Sequence, residues 1–268
     1  MISGSNGITK QGLGTANLSA TNTFTGGLTI DSGAVAVSGN LANDANNNIL
    51  IKNSGTLSLG AQDVFGVHSA SIVNPIEVQT GGLLTNSGAF FNRIGPLTLS
   101  GGGLSASGGD SATYAQPMSW LLNGTVSVTE DSTIDATNIL LGYNGANLTF
   151  DVASGKTLTA SSNFYNSASS TWGNFVDSGL TKTGTGNISL SGTNLYNGST
   201  TISAGTLTAE SSGALGSTSG STAVANNAGL YVSGNITLAD DLDVTGTGVS
   251  GAGAIRFTSG SSTLSGDI

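Results

Sequence analysis

The chain has 268 residues, of which 42 are glycine and only 8% are charged, and its formal net charge is −9. Six basic residues are too few to neutralise phosphate groups, so nucleic acid is excluded as a partner, and so is an anionic membrane surface. The absence of cysteine excludes disulfides and thiolate metal sites, and we expect no cofactor and no metal. No run of 18 apolar residues and no leader pattern occurs, so we expect no membrane span in this segment.

Short stretches of alternating apolar and polar residues, joined by Gly, Asn, Asp or Ser turns, recur along the whole chain. This period is typical of β-strands. In chain order the apolar anchors include Leu28–Ile30, Ile49–Ile51, Ile76–Val78, Leu97–Leu99, Val126–Val128, Leu148–Phe150, Thr200–Ile202, Leu230–Val232, Leu242–Val244 and Ile255–Phe257. Most anchors lie about 19 to 29 residues apart, which favours one coil of a solenoid over a sandwich. We therefore predict an all-β, elongated, single-stranded parallel β-helix of about 11 to 13 coils.

The rhythm is less regular between residues 114 and 175. We expect coils with longer loops here, because the segment collects both tryptophans and several other aromatic residues. Exposed aromatic rings bind sugars and mark recognition surfaces. The candidate ligand-binding residues are Trp120, Tyr143, Tyr165 and Trp172, and the alternative is that these rings fill gaps beneath the loops.

The chain also contains a copy of itself, since residues 7–37 resemble residues 179–209 at an offset of about 172 residues. Glycine suits the sharp corners of a solenoid because it adopts positive φ without strain. The shared positions of the second copy are Lys182, Gly184, Gly186, Leu190, Asn194, Tyr196, Gly198, Ile202, Gly205 and Leu207. Those of the first copy are Lys10, Gly12, Gly14, Leu18, Asn22, Phe24, Gly26, Ile30 and Gly33. We interpret them as structural, with Tyr196 and Phe24 in the core or at corners.

This pattern resembles the autotransporter-associated β-strand repeat, also called the passenger-associated transport repeat. The second copy is a close match, whereas the first departs at Ala16, Ala20 and Leu28. The resemblance implies a right-handed parallel β-helix that is secreted by a Gram-negative-type bacterium and displayed on the cell surface or released. It also implies that the repeat assists export and folding. We expect residues 1–268 to be one continuous segment of a longer protein.

Acidic residues are the candidates for chemistry. Asp240, Asp241 and Asp243 form the densest group, followed by Glu130, Asp131 and Asp135. Paired carboxylates can cleave a glycosidic bond or bind Ca²⁺. However, Asp241 and Asp243 alternate with apolar residues, which predicts that both face solvent.

Three functions remain open. We favour a non-enzymatic structural or adhesive segment, that is, a stalk, a fibre or an adhesin scaffold. The alternatives are a carbohydrate-binding adhesin that uses the exposed aromatics and a β-helix polysaccharide lyase or hydrolase. The expected partners are other copies of the chain, end to end or side to side, and a glycan or the surface of a host or neighbouring cell. The single histidine, His68, we expect at the surface or at a cap.

Overall fold

The structure, a computed structural model, describes residues 1–66, 72–114, 116–171 and 173–268. Within these ranges the alternating stretches form strands, which run in chain order as β1 Ser3–Gly4, β2 Ile8–Lys10, β3 Thr15–Leu18, β4 Thr23–Phe24, β5 Leu28–Val37, β6 Ile49–Leu59, β7 Ile76–Gln79, β8 Leu83–Asn86, β9 Asn92–Ile94, β10 Leu97–Ser100, β11 Gly103–Ala106, β12 Trp120–Leu122, β13 Thr125–Glu130, β14 Ser132–Ala136 and β15 Asn138–Leu141. The series continues with β16 Leu148–Val152, β17 Thr157–Ala160, β18 Asn163–Tyr165, β19 Ser167–Ala168, β20 Phe175–Val176, β21 Leu180–Thr183, β22 Asn187–Leu190, β23 Thr200–Ile202, β24 Gly205–Ala209, β25 Ser221–Val224, β26 Ala228–Ser233, β27 Thr237–Leu238, β28 Asp241–Val244, β29 Ile255–Ser259 and β30 Thr263–Leu264. A short helix, α1, spans Ser111–Tyr114, and a 3-10 turn spans Val249–Gly251.

The strands stack in parallel, each paired with its equivalents on the preceding and following coils. Strand β10, for example, lies between β7 and β13, which places Leu97 in register with Ile76 on one side and Val126 on the other. The chain makes about 11 turns in this way. The predicted parallel β-helix is therefore confirmed, and its coil number lies at the lower end of the predicted range.

Inward side chains form continuous apolar columns along the solenoid axis. One column runs through six coils as Ile30, Ile51, Val78, Leu99, Val128 and Val152. All six side chains are buried in one core. Burial of each such side chain contributes about 1.5 to 3 kcal/mol, so stability grows coil by coil.

A second, smaller apolar cluster lies outside the main core, on the outer side of the solenoid. Strands β9, β12, β15 and β18 form a separate parallel sheet whose inner side chains belong to the main core. On its outer side Leu121 and Leu140 are buried against Phe91, Met118 and Ala168. Met118 and Ala168 of this cluster belong to the segment 114–175, for which longer loops are predicted.

Glycines of the repeat allow close approach of the backbones of successive coils. Gly205 has a φ of 65°, and a Cβ at this position would lie 2.3 Å from the Gly186 carbonyl oxygen. Gly186 itself does not have positive φ, but its Cβ would lie 2.2 Å from the Ala153 carbonyl oxygen. Contact between coils, as well as turn geometry, therefore requires glycine in this motif.

The two copies of the motif allow a matched test of this contact. We expect Gly186→Ala to lower the free energy of unfolding by about 1 to 3 kcal/mol, because the new methyl group collides with fixed backbone. Gly14 occupies the same motif position in the first copy and has ordinary φ, and a Cβ added there would have no atom within 4 Å. Gly14→Ala should change the urea midpoint little, and equal midpoints for the two variants would contradict the contact argument.

Candidate functional site

Lys182, a shared residue near the start of the second motif copy, occupies a position in the apolar core. It lies in register between Phe150 and Ile202, and its side chain is fully buried. Its aliphatic stem lies in the column between these two apolar side chains. Nζ donates hydrogen bonds to the carbonyl oxygens of Thr183 at 2.5 Å, Gly184 at 2.8 Å and Ala204 at 3.3 Å. We call this arrangement the lysine cage.

The cage holds a charged ammonium group. Burial lowers the pKa of Lys182 to about 8, which still leaves the amine protonated at neutral pH. An ammonium group has three N–H donors, and the three carbonyl oxygens accept all of them. The positive charge therefore stabilises carbonyl groups of two successive coils that face the interior.

Lys10 builds the same cage in the first motif copy. Its Nζ donates to the carbonyl oxygens of Gln11 at 3.0 Å, Gly12 at 2.6 Å and Ser32 at 3.1 Å. Lys10 is only partly buried, whereas Lys182 is enclosed on all sides. The equivalent positions thus have an equivalent structural arrangement.

The asparagine that the two copies share bridges coils through its amide. Asn194 is buried, its Oδ1 accepts a hydrogen bond from the Phe164 amide at 2.9 Å, and its Nδ2 donates to the Ala214 carbonyl at 2.6 Å. Asn22 Oδ1 likewise accepts from the Ile2 amide at 2.9 Å, and its Nδ2 donates to the Asn40 carbonyl of the next coil at 3.4 Å and to the nearby Ala20 carbonyl at 2.6 Å. The other apolar motif residues lie in the core, namely Phe24, Ile30, Leu190, Tyr196, Ile202 and Leu207, and Leu18 packs against it.

The four aromatic residues predicted to bind a ligand do not form one surface. Trp120 is fully buried, and its indole Nε1 donates to the Ser105 carbonyl at 2.9 Å. A sugar therefore cannot stack on this ring, and the gap-filling alternative describes it correctly. Tyr143 and Tyr165 are half-buried against the second apolar cluster, and the Arg93 guanidinium lies 5.8 Å from the centre of the Tyr143 ring. Trp172 lies outside the described residues.

Beside Tyr165 the structure brings together residues that the sequence pattern did not single out. Leu195, which is 46% exposed, lies in register with Tyr165 on the next coil because its amide donates to the Phe164 carbonyl at 2.7 Å. The exposed Phe175 and Val176 form β20, which pairs with β19 directly after this position.

Three polar side chains adjoin these apolar ones and are fixed by mutual hydrogen bonds. Asp177 Oδ1 accepts from Asn166 Nδ2 at 3.1 Å and from Asn197 Nδ2 at 2.9 Å. Asn166 Oδ1 accepts from the Asn197 amide at 2.7 Å. We call the surface formed by these apolar and polar residues the outer patch, and its members are Tyr165, Asn166, Phe175, Val176, Asp177, Leu195 and Asn197.

A signal for the outer patch is present in the sequence. At two outward positions the first motif copy has Thr23 and Thr25, where the second copy has Leu195 and Asn197. A comparison of outward rather than shared positions would have selected these residues.

The acidic residues do not converge on one point. Asp241 and Asp243 are exposed on β28, as the alternation predicts, whereas Asp240 is 4% exposed and lies on the inner side. Glu130 forms an ion pair with Lys156, and Asp131 Oδ1 accepts from the Thr157 amide at 2.8 Å. Asp135 is exposed.

Within the described ranges, no three His, Cys, Asp or Glu side chains are grouped so that they could hold a metal ion. His68 lies outside those ranges.

Asp240 is a buried carboxyl with a strongly altered acidity. Burial raises its pKa to about 6, and Oδ1 accepts no hydrogen bond in the structure. The phenol of Tyr196 is near enough for the Asp240 charge to raise its pKa, although burial is the larger cause. The surroundings of Asp240 therefore favour its neutral, protonated form over the ionised carboxylate.

The fold and the repeated lysine cage define a class of protein, the parallel β-solenoids that are built on a repeated coil template. The passenger-associated transport repeat model matches residues 8–37 and 180–209, the two motif copies. The chain is also similar to the Adhesin BmaC autotransporter of Brucella suis biovar 1 (strain 1330), with 32% identity over 295 aligned positions.

These matches identify the chain as an autotransporter passenger sequence with two passenger-associated transport repeats. Such a passenger is displayed on the cell surface or secreted. The alignment covers 94% of this chain but only 8% of the Brucella protein. No solved structure matches the chain. In the part of the chain that the structure describes, no helix is both long and apolar enough to cross a membrane.

Removal of the ammonium group should destabilise the second motif copy. Lys182→Met keeps an apolar stem in the column but leaves three carbonyl oxygens without their donor, so we expect a loss of about 2 to 4 kcal/mol in the free energy of unfolding. Lys10→Met should cost less, because water can reach its partly exposed cage. Chemical denaturation of both variants tests this, and a Lys182→Met protein as stable as the wild type would contradict the role of the cage.

Stability should depend on pH through Asp240. Its pKa is about 6 in the folded chain and about 3.8 when unfolded, so between these values the folded state binds more protons. Stability therefore falls as pH rises through this window and stays lower above it. We expect Asp240→Asn to stabilise the chain by about 1 to 3 kcal/mol at pH 8 and to have little effect near pH 4. Urea denaturation of wild type and Asp240→Asn at both pH values tests this, and an equal difference in stability at the two values would contradict the assignment to Asp240.

Proposed function

We propose that this chain is a non-enzymatic segment of a surface adhesin, a rigid solenoid that carries binding surfaces away from the cell. The observation that supports this proposal most directly is the unbroken core. One apolar cluster extends from Phe24 to Ala254 and joins every coil to the next. About 11 turns at a strand spacing of about 4.8 Å give a rod roughly 50 Å long.

The outer surface supports adhesion better than catalysis. Outward positions on successive strands carry neutral hydroxyl groups, as in the row Thr125, Thr149, Thr181 and Thr201. Asp240 faces the core while Asp241 and Asp243 face solvent, so the three carboxyl groups do not act on one substrate together. A glycosidase requires two carboxyl groups on either side of one bond.

The relative supports the same proposal through its name, which describes that protein as an adhesin. Because the chain spans 8% of that protein, adhesion by this segment is our proposal for the segment alone. A short segment can be a stalk that only spaces other domains, or it can bind a surface itself, and we propose the second role.

Adhesion by the isolated segment is directly measurable. Beads coated with the purified chain should bind cultured epithelial cells or bacterial cells more than beads coated with serum albumin do. Beads that clump with one another in the absence of cells would show that the binding partner is a second copy of the chain. If the coated beads neither bind cells nor clump, the segment is not adhesive and the proposal fails.

A further inference from the structure

The outer patch combines two kinds of surface that lie side by side. Tyr165 and Leu195 present apolar area on neighbouring coils, and the Leu195 side chain is 46% exposed. Next to them, Asn166, Asp177 and Asn197 present amide and carboxylate groups. The apolar and polar groups follow each other directly in the chain, because Asn166 follows Tyr165 and Asp177 follows Val176.

The polar groups of the outer patch are held in place before any ligand arrives. Asp177 accepts hydrogen bonds from both asparagine amides, and Asn197 is held further by Ser217, whose hydroxyl donates to its Oδ1 at 2.8 Å. A pre-organised network of this kind loses little conformational entropy on binding. The strands beneath it are part of the ladder, so the patch lies on a rigid support.

The fold does not require this surface. In the first motif copy the positions equivalent to Leu195 and Asn197 are Thr23 and Thr25, whereas the inward positions keep their character. Asn22 and Asn194 are both buried, and so are Phe24 and Tyr196. The coil template therefore accepts threonine at both outward positions, and the exposed leucine is a departure from it that packing does not explain.

We infer that the outer patch binds a neutral sugar ring of a cell-surface glycan, an inference that rests on the proposed adhesive function. The apolar face of a pyranose ring fits a half-buried phenol and an exposed leucine, and its hydroxyl groups fit fixed carboxylate and amide groups. The patch contains one carboxylate and no basic residue. Charge repulsion therefore opposes sialylated and uronic-acid glycans, which leaves neutral saccharides as the ligand class.

A double variant that copies the first repeat tests this inference. In L195T/N197T both new residues are those that the chain already uses at equivalent positions, so the variant should fold, and an unchanged midpoint of thermal unfolding verifies this. The control T23A alters an exposed residue of the first copy, outside the patch. Wild type, control and double variant are compared on an array of neutral, sialylated and uronic-acid glycans, and the neutral glycans bound are then titrated by calorimetry.

We expect wild type and control to bind neutral glycans equally, the double variant to bind at least about tenfold more weakly, and acidic glycans to remain unbound. Asp177→Asn provides a second variant, which should weaken binding without loss of the fold. Absence of neutral-glycan binding by the wild type, or undiminished binding by both patch variants, would overturn the inference. If the wild type binds no glycan but wild-type beads still adhere to cells, the sugar site is refuted and the adhesive function is not. If the wild type binds neutral glycans but the beads do not adhere to cells, the adhesive function is refuted and the sugar site is not.

Discussion

The structure depends on how closely successive coils can approach each other at their corners. Strand pairing requires a spacing of about 4.8 Å, and at a corner this spacing brings carbonyl groups of one coil against the backbone of the next. Glycine avoids the steric clash, because it has no Cβ to collide with the neighbouring backbone, as at Gly186 and Gly205. An electrostatic constraint remains, because inward carbonyl groups at a corner have no strand partner to donate a hydrogen bond to them.

The lysine cage supplies hydrogen-bond donors to these carbonyl groups from one side chain. Lys182 supplies three donors from a position that would otherwise hold an aliphatic residue, and Gly184 turns the backbone so that its carbonyl faces the ammonium group. Lysine and glycine therefore belong together in this template for a physical reason. A lysine without the turn would be a buried charge without partners, and the turn without lysine would be a set of unsatisfied carbonyl groups.

Most of the fold could be predicted from the sequence, because the period of two is a local property of each strand and repeats at a regular spacing. The same alternation that correctly predicts Asp241 and Asp243 at the surface places Asp240 inside, between Leu238 and Leu242. The strand register therefore turns the Asp240 side chain toward the core although the residue is acidic. Trp120 could not be placed in this way, since β12 and β15 are apolar on both sides and alternation is lost. The outer patch was missed for another reason, because its residues meet through neighbouring coils and are distant in sequence.

The second apolar cluster has a mechanical consequence. Between Phe91 and Ala168 the solenoid has two walls, since the sheet formed by β9, β12, β15 and β18 is packed on its inner and its outer side. Elsewhere among the described residues the strands are packed on the main core alone. Under tension along the chain, coils with a single wall should unwind first, whereas the double-walled section should resist as a unit. Tyr165 of the outer patch packs on that section, so this side of the patch should keep its place until the double-walled section itself unfolds.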